Sequence, residues 1–280
     1  MFHPLPILYA FAAAAALLAL AWRPWRREAE SSHAPVLTAL AFAAGFGLAQ
    51  VALYGLPQIP PSARSEWLGF LVLATLALVP LERSSRGGRV PLLLSSLALA
   101  AWFLWTTTGP KREYTWDNPA TALWLGGALA AWLWHTASLR DLARRRAGGP
   151  SLPLVLFATT VGIAVVVGLS GSVNYAHLAG ALAPALGGLV ILGVWRPDLA
   201  ALTSATAPLA TALLGLLWIG ILFAEVPWPV ALLLLAAPEA ARLPAWGPDS
   251  GWKAAIPRLV GAALPIAAAV VLSLPEEPYY

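Results

Sequence analysis

The chain has 280 residues, of which 59% are hydrophobic and 11% are charged, and its formal net charge is +4. A soluble domain carries about 25% charged residues, so this composition excludes an ordinary water-soluble globular protein. The basic residues lie between hydrophobic blocks and not in one patch, which argues against nucleic acid as a partner. The sequence contains no cysteine, which excludes disulfides, thiolate metal sites and cysteine nucleophiles.

The apolar residues form blocks of about 15 to 24 residues, long enough to cross a hydrocarbon core about 30 Å thick. Backbone polar groups inside such a core must pair within their own segment, so the blocks are expected to be helices. The predicted fold is therefore all-α: a polytopic transmembrane helix bundle of about ten helices that forms a single domain over residues 1–280. The predicted helices are Leu5–Trp22, Pro35–Leu56, Trp67–Leu81, Val90–Thr106, Pro119–Leu139, Leu152–Leu169, Asn174–Trp195, Leu199–Phe223, Val226–Ala241 and Ile256–Leu274.

Two of these blocks need separate comment. Leu5–Trp22 is interpreted as a retained helix and not as a signal peptide, because the positive charges of Arg23, Arg26 and Arg27 follow the apolar run and do not precede it. Val226–Ala241 is interrupted by Pro238 and Glu239, so the sequence leaves open whether this segment spans the membrane.

The distribution of positive charge predicts the orientation. The chain has 17 Lys and Arg residues. If both termini are outside, all of them except Arg64, Lys111 and Arg112 fall in inner loops. Cytoplasmic loops of membrane proteins are enriched in Lys and Arg, so this arrangement is the expected one. The predicted location is a cell membrane, of the bacterial inner-membrane type, and the expected partners are the lipid bilayer and other membrane subunits.

One group of polar residues is a candidate ligand-binding cluster. Asn174 and His177 are three residues apart and share a helix face. In the predicted topology Gln50, Tyr54 and Glu225 lie near the same outer end. Polar groups within membrane segments are often functional, so these five residues could line an outward-facing pocket. The alternative is that they terminate helices and face lipid headgroups.

Other patterns are compatible with packing or with chemistry. Glu239 is either a proton site or a solvated helix end. His135 and His177 are predicted at opposite ends of the bundle, which argues against a bis-histidine haem site. No cofactor, metal site or catalytic residue is predicted.

Two stripes of small residues favour close helix packing, although the second, which contains a proline, could also be a hinge. These stripes are Ala41, Gly45 and Ala49, and Ala176, Gly180, Pro184 and Gly188.

Three functions remain open. The sequence favours a structural or complex-assembly subunit without catalysis of its own, because small-residue stripes are present and buried charge is scarce. A small-solute transporter is the first alternative, since the proline-containing helices of the second half resemble the broken helices that transporters use. A membrane-embedded enzyme acting on lipid is the second alternative, with the outer cluster as its site.

Overall fold

The computed structural model describes residues 34–61, 63–83, 88–145, 149–195, 202–244 and 252–274. These residues form an all-α structure. The predicted helix Leu5–Trp22 and the acidic residues Glu276 and Glu277 lie outside the described residues. Their predicted positions therefore remain predictions.

The α-helices, numbered here along the described chain, agree with most of the predicted blocks. Short 3₁₀ helices occur at Arg64–Glu66, Thr75–Leu78 and Ala237–Arg242. The α-helices are α1 (Ala34–Tyr54), α2 (Trp67–Ala74), α3 (Val79–Arg83), α4 (Arg89–Thr107), α5 (Gly109–Tyr114), α6 (Asn118–Arg145), α7 (Ser151–Leu169), α8 (Val173–Trp195), α9 (Thr206–Phe223), α10 (Trp228–Ala236) and α11 (Trp252–Leu272).

Five helical segments of the described chain are long and apolar enough to cross a membrane, and two further apolar segments, Thr38–Tyr54 and Trp67–Glu82, are shorter. This composition indicates a multi-pass protein located in a membrane. The five long segments are Arg89–Thr107, Ser151–Leu169, Val173–Ile191, Thr206–Phe223 and Lys253–Leu272.

The structure corrects several predicted boundaries. The eighth predicted helix does not begin at Leu199, because residues 202–205 form a turn and the helix starts at Thr206. The doubtful segment Val226–Ala241 forms only nine residues of α-helix before it tightens into the 3₁₀ helix that contains Pro238. The third predicted helix is likewise interrupted by a 3₁₀ turn at Thr75–Leu78.

Two polar segments are more helical than the hydrophobicity pattern indicates. Helix α6 extends past the predicted end at Leu139 to Arg145, because Asp141 and Arg145 form an i,i+4 ion pair that stabilises an exposed last turn. The predicted polar loop after α4 contains the short helix α5, which has a proline in its first turn, where proline is tolerated.

Helix packing uses the predicted small residues only in part. Ala49 of α1 and Ala181 of α8 are both buried and belong to one apolar cluster. A side chain added at Gly168 of α7 would touch the methyl group of Ala176, so α7 and α8 approach closely at this point. In contrast, a Cβ at Gly180 would meet nothing within 4 Å. The second stripe therefore makes a close contact at one end and leaves space farther along.

Helix α9 lies at the centre of the bundle. It is the most buried of the five long apolar segments, with 89% of its residues inside the protein. Its first turn contacts Glu82, whereas its last residue, Phe223, contacts Tyr175 near the start of α8. The two ends of α9 therefore identify the two ends of the bundle, called here the Glu82 end and the Phe223 end.

Candidate functional site

The predicted outer cluster is only partly assembled. The Tyr54 hydroxyl at the end of α1 donates a hydrogen bond of 2.9 Å to the backbone oxygen of Asn174 at the start of α8. Gln50, Tyr54 and Glu66 all line a pocket of about 260 Å³. The Gln50 amide donates to the Glu66 backbone oxygen over 3.3 Å. Gln50, Tyr54 and Glu66 thus provide the polar side chains of an otherwise apolar pocket near the Phe223 end.

The other predicted members do not line that pocket. Asn174 is exposed and contributes its backbone, His177 is half-buried on α8, and Glu225 is exposed in the turn after α9. Glu225 has a φ of 55°, a left-handed conformation that is uncommon for residues other than glycine. Glu66 is the pocket residue that the sequence interpretation missed. It precedes α2 by one residue in a proline-rich segment, where the hydrophobicity pattern carries no signal for a pocket.

A buried carboxylate forms the first of two polar networks at the Glu82 end. Glu82 is 2% exposed and accepts hydrogen bonds from the Thr206 backbone N–H (3.2 Å), the Thr206 hydroxyl (2.7 Å) and the Ala207 backbone N–H. A carboxylate is favourable at a helix N-terminus, because the first N–H groups have no partner within the helix. Glu82 therefore joins α3 to the first turn of the central helix.

Two arginines of α6 lie beside this carboxylate. The Arg144 guanidinium donates to the backbone oxygen of Glu82 over 3.4 Å, and Arg140 interacts electrostatically with the Glu82 side chain. The sequence interpretation used the two arginines for topology alone and did not single out Glu82. The sequence signals for this contact were a carboxylate next to an arginine-rich loop and a threonine that could begin a later helix.

The second network joins the end of α6 to the 3₁₀ helix Ala237–Arg242. Arg242 donates from Nε to Glu239 (2.6 Å), from Nη1 to Asp141 (2.7 Å) and from Nη2 to the Ser138 hydroxyl (2.9 Å). The Ser138 hydroxyl also donates to Glu239. Hydrogen bonds from Arg145 and then Arg242 hold the pKa of Asp141 below its ordinary value, and bonds to Glu239 and Asp141 raise that of Arg242.

Two titratable residues that the sequence singled out, Glu239 and His135, have different surroundings. Glu239 lies at the helix end, half-buried, and its carboxylate is held by Arg242 and Ser138. His135 is 1% exposed inside α6, and neither ring nitrogen has a hydrogen-bond partner within the described chain. His177 lies near the start of α8, toward the Phe223 end.

A second cavity is an apolar groove bounded mainly by α6, α9 and α10. Its volume is about 580 Å³, and its lining consists entirely of Leu, Ile, Ala, Gly and Trp residues. The groove is called here the apolar groove. Among its lining residues are Leu104, Gly127, Trp132, Trp218, Trp228 and Leu235.

Tryptophans fix the wall of the groove toward the Phe223 end. The Trp218 indole N–H donates to the Thr107 hydroxyl over 3.1 Å, so its one polar atom is satisfied inside the wall. Trp124 stacks on Trp116 with ring centroids 5.7 Å apart and an interplanar angle of 6°. Beside them, the Arg112 guanidinium lies 3.4 Å above the ring of Trp105, a cation–π contact.

Helix α6 also has an exposed stripe of small residues, Ala122, Gly126 and Ala130, at i+4 spacing. A Cβ added at Gly126 would meet nothing within 4 Å. The same periodicity that indicated the other two stripes could have identified this one, but only the structure shows that it faces outward. It is called here the α6 stripe.

In the described residues no group of three or more His, Cys, Asp or Glu side chains could hold a metal ion. Comparison of the chain with protein-family models, with curated proteins and with solved structures finds no match.

Proposed function

We propose that this protein is a non-catalytic assembly subunit of a membrane complex, and that the α6 stripe receives a transmembrane helix of another subunit. The proposal includes an orientation with the Glu82 end in the cytosol of a bacterial cell. The positive-inside distribution of Arg and Lys supports that orientation.

The outward position of the α6 stripe is the observation that carries the proposal. Helices in lipid associate through close backbone approach at small residues, because lipid chains are as apolar as leucine side chains and provide no hydrophobic driving force. Ala122, Gly126 and Ala130 present such a surface away from the rest of the described chain. An adjacent helix could approach there without any change in this protein.

The protein itself provides a precedent for this use of small residues. The inward-facing stripe of α1 places Ala49 against Ala181 of α8, and Ala176 of α8 packs next to Gly168 of α7. Both are contacts between helices of one chain. The α6 stripe has the same spacing but lacks a described helix against it, which fits a partner outside the chain.

The two polar networks at the Glu82 end support a structural role. Glu82 joins α3 to α9, and Arg242 joins α6 to the segment after α10. Their polar groups are engaged with one another across helices that are distant in sequence. Such networks hold a scaffold in one arrangement, as a subunit that positions other subunits requires.

The test is purification in mild detergent of the wild type and of Gly126→Leu, with quantification of co-purifying proteins. We expect a partner at a fixed stoichiometric ratio with the wild type, and about tenfold less of it with the variant, because a leucine at 126 holds the backbones apart. Photo-crosslinkers at Ala122 and Ala130 should label a transmembrane segment of that same partner.

Gly127→Leu is the matched control. Gly127 is adjacent in the same helix and also has nothing within 4 Å of an added Cβ, but it faces the apolar groove. This variant should keep the partner. A wild-type protein that purifies alone, or a partner retained equally by Gly126→Leu, would contradict the assembly role and favour a transporter.

A further inference from the structure

We propose that the apolar groove is a lipid site, which holds one acyl chain of a phospholipid from the leaflet at the Phe223 end. This site is separate from the α6 stripe and does not depend on the proposed assembly role. It assigns a ligand to a cavity of about 580 Å³ in the described bundle.

The length of the groove distinguishes an acyl chain from a protein helix. Along α6 the lining extends from Leu123 to Trp132, a rise of about 14 Å at 1.5 Å per residue. Along α10 it extends from Trp228 to Leu235, a rise of about 10 Å. A hydrocarbon core is about 30 Å thick, so the groove covers roughly one leaflet. A transmembrane helix would need twice that length, whereas a single acyl chain does not.

The volume and the lining are compatible with a single chain. The groove of about 580 Å³ falls within the range of about 300 to 1,000 Å³ that is usual for sites of one small ligand. Its lining offers apolar side chains and four small residues, Gly127, Ala128, Ala131 and Ala231, which leave width for a methylene chain.

The mouth of the groove lies at the level expected for a headgroup. Trp124 and Trp228 line this end, and tryptophan is enriched where hydrocarbon meets headgroups. Trp116 stacks on Trp124 and donates its backbone N–H to the Lys111 carbonyl over 2.6 Å. This stacking connects the mouth to the cationic residues of α5.

The charges of this segment suit a phosphate. Lys111 and Arg112 are half-buried, and Arg112 is fixed over Trp105 by bonds to the Trp105 carbonyl (2.8 Å) and the Thr108 hydroxyl (3.2 Å). Glu113 and Asp117 are exposed in the same segment. Asp117 caps α6 through the Ala120 N–H (2.8 Å). The partly buried groups are thus cationic and the exposed ones anionic.

The test uses liposomes of phosphatidylcholine and phosphatidylglycerol that contain a phosphatidylcholine with a photoreactive diazirine in one acyl chain. Trp218 and Leu217 line the groove but are each only 5% exposed, so a lipid chain reaches them only from within the groove. We expect crosslinks at these two residues in the wild type. Gly127→Leu should reduce them about tenfold, because its side chain occupies the groove.

Gly126→Leu is the control, since it adds the same side chain one position away and outside the groove; it should leave crosslinking at Trp218 and Leu217 unchanged. Circular dichroism and thermal midpoints verify that both variants are folded. Absence of crosslinks at Trp218 and Leu217 in a folded wild type would overturn the lipid site, and so would equal crosslinking in the two variants. Neither result would affect the test of the partner helix, which is read from co-purifying protein.

Discussion

Arg242 shows how a single side chain can join two helices at the edge of a membrane. All three guanidinium nitrogens donate: to Glu239, to Asp141 and to Ser138. The side chain is 40% exposed, so water screens each ion pair and the stabilisation from an exposed pair is about 1 kcal/mol or less. The planar, forked geometry of arginine allows the three bonds to form together.

We predict that Arg242→Gln lowers the thermal midpoint by about 2 to 4 °C at pH 7, which corresponds to roughly 1 kcal/mol. The effect should depend on pH. The pKa of Asp141 is lowered in the folded state, so its stabilising contribution is present above the ordinary aspartate pKa of about 3.9 and is lost as pH falls through the lower folded value. Melting followed by circular dichroism from pH 7 to pH 3 measures this.

Arg145→Gln is the control for this prediction. Arg145 pairs with the same Asp141 at 2.8 Å and contributes most to lowering its pKa. Its side chain is nevertheless 69% exposed. It forms one ion pair within the described chain, with Asp141, whereas Arg242 donates three hydrogen bonds. A smaller loss of stability is expected. An equal or greater loss than in Arg242→Gln would show that the three-way network has no special role.

At the scale of helices, the prolines in the second half of the chain do not break the helices that contain them, although the sequence suggested broken helices. Helix α8 is continuous through Pro184, and α11 is continuous through Pro257 and Pro265. In membranes, neighbouring helices and side chains can compensate for the backbone bonds that proline removes.

Packing around glycine is the more restrictive feature. A Cβ on Gly162 of α7 would lie 2.7 Å from Ile266 Cγ2 and 3.2 Å from Leu234 Cδ2.

Gly162→Ala and Gly180→Ala should therefore have opposite effects. The Ile266 Cγ2 atom is attached to Cβ and cannot move without a rotamer or backbone change, so overpacking at 162 should cost about 1 to 3 kcal/mol. At Gly180 an added methyl group meets nothing within 4 Å, and the better helix propensity of alanine should contribute up to about 1 kcal/mol. Thermal midpoints of both variants test this; a more stable Gly162→Ala would disprove the close packing of α7 with α10 and α11.

For the whole molecule, the two ends of the bundle differ in chemistry. The Glu82 end carries the arginine networks of α6 and the segment after α10. The Phe223 end carries tryptophans, the pocket lined by Gln50, Tyr54 and Glu66, and the mouth of the apolar groove. In the proposed orientation the first end is cytosolic, so the pocket and the groove mouth are external.

Because the sequence contains no cysteine, single introduced thiols report the orientation without background labelling. Glu113→Cys at the Phe223 end and Arg145→Cys at the Glu82 end are both exposed positions. We predict that a membrane-impermeant maleimide labels Glu113→Cys in intact cells, whereas it labels Arg145→Cys only after the membrane is permeabilised. The reverse pattern would invert the orientation and place the groove in the cytosolic leaflet.

The candidate site could be predicted from the sequence only in part. The link between Tyr54 and Asn174 joins residues that the sequence had placed at one depth, because helix lengths and loop charges determine depth. Depth does not determine which helices are neighbours. For this reason Glu66 was missed, and His177 and Glu225 do not line the pocket that Gln50 and Tyr54 share.

The sequence by itself determined that the chain is helical and suited to a membrane, since long apolar blocks must pair their own backbone groups in a hydrocarbon core. The tertiary structure alone decided the lateral arrangement: that Glu82 meets Thr206, that Arg242 meets Asp141, and that Gly126 and Gly127, adjacent in the chain, face an open surface and the apolar groove. Successive residues of a helix point about 100° apart, and uniformly apolar helices carry no amphipathic signal to show which direction is inward.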